Sequence, residues 1–211
     1  MNRQPSPEGH ARREREDGRR SRAAILDTAA RVATVEGLDG LSIGGLAERA
    51  GMSKSGVYAH FKSKEELQLA TIDRALEIFA AEVVSPARAR PAGLARAWAL
   101  AGAFLDHLQR GVFPGGCFFA AVAGEFDTHP GRVKDAIMAF QDGWGRELAE
   151  AVAEAQARGE LASEPDAAQL VFEVNALLLM GHSSYTMYGD PALLEAARRG
   201  LERLLGPRPS S

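Results

Sequence analysis

The sequence predicts an all-α protein: a small N-terminal unit built around two short helices and a tight turn, then a larger helical bundle. Three observations carry this. Apolar residues recur at helical spacing through nearly the whole chain. Glycine and proline fall between the periodic stretches. No stretch sustains the period-2 alternation of a half-buried strand.

A first helix is expected over 22–36, with Ile25, Ala29, Val32 and Ala33 on one face and Gly37 as its stop. After the turn Gly37-Leu38-Asp39-Gly40, Ser42 stands as an N-cap, with Leu41 and Leu46 placed as a hydrophobic staple. A short second helix follows over 43–50, ended by Gly51. Ser53 caps a third helix that reaches only to His60, stapled by Met52 and Val57. Ser63-Lys64-Glu65-Glu66 is a capping box opening a longer fourth helix to about residue 84. Ser85-Pro86 and Pro91 are expected to break the chain there. In the bundle, helices are expected over 92–110, 116–126, 132–158 and 165–188. Asp190-Pro191 then supplies a cap and a first-turn proline for a last helix to 205.

The 211 residues, 45% hydrophobic and 25% charged, can bury a core without disulfides or metals. A single cysteine, Cys117, forms no internal disulfide and fits a reducing compartment. The apolar run around 177–180 is too short to span a bilayer, and the polar N-terminus lacks the apolar core of a secretory signal. The net charge of −3 is uneven: 12 Lys and Arg face 10 Asp and Glu in residues 1–70, against 13 and 18 in the rest. Between His10 and Arg22 six arginines oppose three acids, a cationic arm suited to a polyanion and equally readable as a solvated tail.

The two short helices joined through Gly51 fit a helix-turn-helix. Their apolar residues face the first helix, which leaves Lys54, Ser55, Tyr58 and His60 pointing away. Such groups can each donate a hydrogen bond to a phosphate oxygen. Gly56 permits close approach of a duplex, and the capped helix starts at Ser42, Ser53 and Ser63 favour an anion. Taken singly, each residue also has a plain structural use, as a cap or a half-buried aromatic; the ensemble is what points to DNA.

Residues 22–70 resemble the DNA-binding domain of the tetracycline-repressor (TetR) family. The resemblance rests on Ala47-Glu48-Arg49-Ala50-Gly51-Met52-Ser53, continuing to Val57-Tyr58-Ala59-His60-Phe61 and Lys64-Glu65. It implies an N-terminal three-helix DNA-binding domain with a helix-turn-helix, plus a C-terminal bundle for ligand binding and dimerisation. It also implies that Ser42, Ser53, Tyr58, His60 and Lys64 meet phosphates. Lys54, Ser55 and Gly56 would face base edges or backbone in the major groove, and Arg22 would reach along the backbone or into the minor groove. Gly44-Gly45 departs from the family's bulkier or charged pair and should soften the second helix by roughly 1 kcal/mol per glycine. The chain then divides into a disordered arm (1–18), a DNA-binding domain (19–66), a ligand and dimer domain (67–205) and a disordered tail (206–211).

Leu170, Val171, Val174, Leu177, Leu178 and Gly181 form one apolar stripe, and Leu193, Leu194, Ala197, Leu201, Leu204 and Leu205 another. Paired across a two-fold axis they would make a four-helix seam; alternatively both face the chain's own core. A ligand pocket is expected among Trp98, Phe104, His107, Phe118, Phe119, Phe126, Met138, Phe140, Trp144, Phe172, Asn175, Met180, His182 and Tyr185. Cys117 is either a redox sensor or a small buried hydrophobe, and the lack of a second cysteine favours the latter.

No nucleophile elbow, phosphate loop or metal-ligand spacing is present, so neither catalysis, a cofactor nor a metal is expected. The expectation is a cytoplasmic, nucleoid-associated homodimeric repressor. A small, largely apolar effector of unknown identity would release it from a palindromic double-stranded operator, with no membrane involved. An activator or ligand-independent regulator is the first alternative, and a helical enzyme or interaction module carrying a helix-turn-helix the second.

Overall fold

The computed structural model describes residues 7–209, and their side chains from residue 16 onward. The fold is all-helical, and no strand occurs among the described residues. The first helix, α1, spans Pro7–Glu36 and so begins well before the expected start. The arm expected to be disordered over 1–18 is therefore helical from Pro7; residues 1–6 and 210–211 lie outside the described residues. Arg20 adds exposed pairs one turn back, 4.0 Å from Glu16 and 3.9 Å from Asp17.

The next elements follow their caps. α2 (Ile43–Arg49) and α3 (Lys54–His60) start at Ser42 and Ser53, whose hydroxyl oxygens accept from the Gly45 and Gly56 N–H groups. α4 (Lys64–Phe79) starts at Ser63, which accepts from the Glu66 N–H. Glu66 reaches back past the cap, its carboxylate accepting from the Lys62 N–H at 3.0 Å. Ile25, Ala29 and Ala33 of α1, Ile43, Leu46 and Ala47 of α2, and Val57 with Phe61 at the end of α3 close a small buried core.

Ser85-Pro86 does not break the chain as expected. α4 passes into a π-turn over Ala80–Val84 and then a last turn, α5 (Ser85–Arg88). A proline inside a helix collides with the carbonyl four residues back. The widened π-turn ahead of Pro86 makes room for it, so the rod persists until the approach to Pro91.

The bundle comprises α6 (Leu94–Gln109), α7 (Phe118–Phe126), α8 (Arg132–Ala157), α9 (Ala167–Tyr188) and α10 (Pro191–Leu205). α9 packs on α6, α8 and α10, while α1 packs on both α4 and α7. One continuous apolar core joins head to bundle, from Ile25 to Leu205. The expected boundary at 66/67 falls inside α4, whose Leu67, Ala70 and Ala75 belong to that shared core.

The two apolar stripes turn inward. Val174, Leu178, Leu194, Ala197 and Leu201, expected at a two-fold seam, are buried in the chain's own core, and Val171 and Leu204 pack against it. α9 and α10 approach closely: a Cβ at Gly200 would lie 2.7 Å from Leu177, and one at Gly181 3.1 Å from Ala197. Phe172, expected in the pocket, is 70% exposed on the outer face of α9, with Leu179, Met180, Met187 and Tyr188 also exposed on that helix. α9 is apolar on nearly every side, so periodicity alone carries no sign of which stripe faces in.

Candidate nucleic-acid interface and ligand cavity

The outer face of α3 gathers the side chains that the motif singled out. Ser53, Lys54, Ser55 and Tyr58 are exposed, Tyr58 by 58%, and none belongs to the core. Ser53 Oγ accepts from the Gly56 N–H at 3.1 Å and lies 3.1 Å from Ser55 Oγ. A capping serine spends one lone pair on the helix and keeps an O–H to donate. Lys54 makes no ion pair among the described residues, and a Cβ at Gly44 would lie 3.3 Å from its Cε. The glycine that departs from the family pattern therefore leaves room for the lysine stem. A Cβ at Gly56 would come 3.2 Å from Ser53 Oγ, so this glycine serves the cap as well as the open face.

The remaining predicted contacts flank α3. His60 is half-buried with its ring 6.3 Å from that of Phe61. The Arg22 guanidinium lies 5.2 Å over the same Phe61 ring, which brings α1 beside the end of α3. Ser42 is exposed at the start of α2. Lys64 is exposed but already engaged: its Nζ donates to Asp39 Oδ1 at 2.8 Å. The lysine holds the Asp39 carboxyl below its ordinary range through that hydrogen bond and its charge. A phosphate meeting Lys64 competes with Asp39, a partner that sequence reasoning missed.

Asp39 leads to a second missed residue, Glu125 on α7. Its carboxylate accepts from the backbone N–H of Leu38 at 3.0 Å and of Asp39 at 2.9 Å. Gly37, at φ +84, must be glycine here, since a Cβ would sit 2.8 Å from a Glu125 oxygen. At the other end of α7, the Gly115 N–H donates to Thr34 Oγ1 at 3.1 Å and His182 Nε2 lies 3.3 Å from the Gly115 carbonyl. Both ends of α7 are thus tied to the last turn of α1 and the turn beyond it.

The middle of α7 lines two cavities. The first, about 480 Å³, lies between α4 and α8, with Asp73, Arg88 and Glu147 among its lining and Arg88 paired with Glu147. The second, about 390 Å³, lies where α4, α6, α7, α8 and α9 converge. Phe79, Phe119, Phe140 and Trp144 line both. Phe79 is the hub: its ring meets Phe104, His107, Phe119, Phe140 and Trp144 edge-on, at 5.0–6.4 Å. Phe119 and Phe140 stack face to face at 3.4 Å. Sequence reasoning missed Phe79 because it sits on the connecting helix, where nothing local distinguishes it from core.

The predicted pocket residues divide. Phe104, Phe119, Trp144 and Asn175 line the second cavity, joined by Cys117. Trp144 Nε1 donates to Asn175 Oδ1 at 2.8 Å. Phe126 and Met138 border a separate outer hollow. Trp98 and Phe118 are buried core residues that line none of these cavities. His107 is also buried, and neither ring nitrogen has a hydrogen-bond partner. Desolvation lowers its pKa to about 4. Burial pushes the Cys117 thiol up to about 11, so it stays protonated.

Comparison with known proteins agrees with this geometry. Residues 25–71 match the family model "Bacterial regulatory proteins, tetR family", and residues 93–201 match "Tetracyclin repressor-like, C-terminal domain". The HTH-type transcriptional regulator AcrR of Shigella flexneri is 35% identical over 57 residues, 27% of this chain and 26% of that protein. The match thus spans about a quarter of that relative's length. A TetR transcriptional regulator from Chloroflexus aurantiacus J-10-FL superposes with a TM-score of 0.78 at 26% identity, covering 89% of this chain and 95% of that one. AibR, solved with isovaleryl coenzyme A and operator DNA, shares the fold with a TM-score of 0.72 at 23% identity, over 89% and 99% of the two chains. No helix among the described residues is long and apolar enough to cross a membrane.

Proposed function

From the premise that this chain belongs to the TetR family of transcriptional regulators, we propose that it is a homodimeric repressor released from a palindromic operator by a small, largely apolar effector. The observation that carries this is the exposed α3 face: Ser53, Lys54, Ser55 and Tyr58 outside, on a helix that buries only Val57. Arg22, Ser42, His60 and Lys64 flank it and meet the phosphates on either side. This role keeps the protein in the cytoplasm with the DNA and asks no catalysis of it.

Two reading heads must sit about 34–36 Å apart to enter successive major grooves. The outward apolar side chains of α9 supply the face for a second copy. An effector lodged around Phe79 pushes on α4 and α7, the two bundle helices packed on α1. An effector that favours a head spacing unfit for the operator draws the population off DNA. The two aromatic cavities speak for this over a ligand-independent regulator.

Tyr58→Phe and Lys64→Ala test the interface. Both are expected to weaken binding to an operator mapped by footprinting on neighbouring intergenic DNA. Lys64→Ala should also lower the log–log salt slope by roughly 0.9, the loss of one phosphate contact. Unchanged affinity in both variants would reject the interface.

A further inference from the structure

The cavity at the junction of α4, α6, α7, α8 and α9 carries enough chemistry to name the class of its occupant, granted the effector reading above. Three features decide it.

Its lining contains no Asp, Glu, Lys or Arg. An ionised ligand buried there would find no counter-charge, and an unpaired charge taken out of water is strongly disfavoured. Its walls include five aromatic rings, Phe79, Phe104, Phe119, Phe140 and Trp144. Phe119 and Phe140 stack on each other with their rings 6° apart, so the outer face of the pair is the flat surface left to meet a ring-bearing body.

The third feature is a hydrogen-bond donor that no described residue engages. The Trp144 indole N–H can only donate, and it donates to Asn175 Oδ1. That bond assigns the amide: its oxygen faces the indole, which leaves the NH₂ as the group on offer. Asn175 makes no other hydrogen bond among the described residues. Of the lining side chains, the Gln141 amide and the Cys117 sulfur could accept, but no hydrogen bond joins either to Asn175 among the described residues.

We infer that this cavity binds an uncharged, ring-bearing carbonyl compound, its hydrocarbon body among the aromatic walls and its carbonyl oxygen accepting from Asn175 Nδ2. Ketones, aldehydes, lactones and quinones share this chemistry. Carboxylates lie outside it for their charge, and plain hydrocarbons bind more weakly for want of an acceptor.

Calorimetric titration of the full-length protein with three matched probes tests this: 2-acetylnaphthalene, 2-ethylnaphthalene and 2-naphthoate. The ketone should bind roughly fivefold more tightly than the hydrocarbon, the yield of one neutral hydrogen bond. The carboxylate should bind at least about a hundredfold more weakly than the ketone. In Asn175→Leu the preference for ketone over hydrocarbon should vanish while both still bind. Equal affinity of ketone and hydrocarbon for the wild type would overturn the inference, as would a preference that survives Asn175→Leu or a failure of all three probes to bind. The wild-type comparison requires no variant to fold. Operator affinity, measured by fluorescence anisotropy on the same samples, reports separately on the regulator: intact DNA binding without ketone preference would overturn only the ligand class, and ketone preference without DNA binding only the regulator.

Discussion

His107 is buried among Phe79 and Phe113 with both ring nitrogens unpartnered, and that isolation sets a pH dependence. Burial lowers its pKa from 6.5 to about 4, and the Glu82 carboxylate only partly opposes the shift. The sign follows from proton counts. Between pH 4 and 6.5 the unfolded chain holds the His107 proton and the folded chain does not. The stabilising contribution is thus fully present above 6.5 and lost as pH falls toward 4, by about 3 kcal/mol at the limit. His182 is shifted the same way by its own burial and adds to the trend. Urea midpoints of wild type should therefore drop between pH 7 and 4.5, and those of His107→Leu should drop less. At pH 7 the variant should be no less stable, because it removes two unsatisfied nitrogens and keeps an apolar side chain of similar size. Parallel pH profiles for the two proteins would show that His107 is not responsible.

α7 joins cavity to reading head: Phe119 and Ala123 line the cavity, and Glu125 grips the Leu38 and Asp39 N–H groups a few residues on. Charge-assisted hydrogen bonds of this kind contribute about 1.5–3 kcal/mol. Glu125→Ala should lower the thermal midpoint by about 4–8 °C and speed amide exchange at Leu38 and Asp39, with Glu125→Gln intermediate. Exchange rates unchanged at those two amides would mean that the carboxylate does not hold the turn. This contact joins residues 87 positions apart, and no local pattern announces it. What the chain announces is local. Ser42, Ser53, Ser63 and Asp190 each cap the helix expected of them, because a cap is settled within three residues. The α3 face was legible for the same reason: Val57 alone turns inward there, and the polar residues have nowhere else to go. Pro86 was misjudged because its tolerance depends on a π-turn. Phe104, Phe119, Trp144 and Asn175 were recognisable as pocket types, but their convergence on Phe79 is a product of packing alone.

At the scale of the whole molecule, the outer face of α9 lacks a partner among the described residues. Leu179, Met180, Met187 and Phe172 are exposed, Met180 by 65%, beside a groove of about 560 Å³ shared with α10. Glu173 and Arg203 are both part of that groove's lining. A two-fold axis brings the same patch onto itself, so an acid and a base on one copy can meet the base and acid of the other. Exposed apolar surface of this kind suits the homodimer proposed above. Met180→Asp places a charge on that face while touching none of the buried stripe, so helix content should stay close to wild type. Sedimentation should then report a shift from dimer to monomer. Operator affinity should fall by roughly a hundredfold or more, because the second reading head is no longer held at high effective concentration beside its half-site. The order of these effects is the informative part. If Met180→Asp remains dimeric, a different surface joins the copies and the outward face of α9 has some other occupant. If it becomes monomeric yet keeps full operator affinity, a single α3 face suffices for recognition, and head spacing cannot be the quantity that the effector controls.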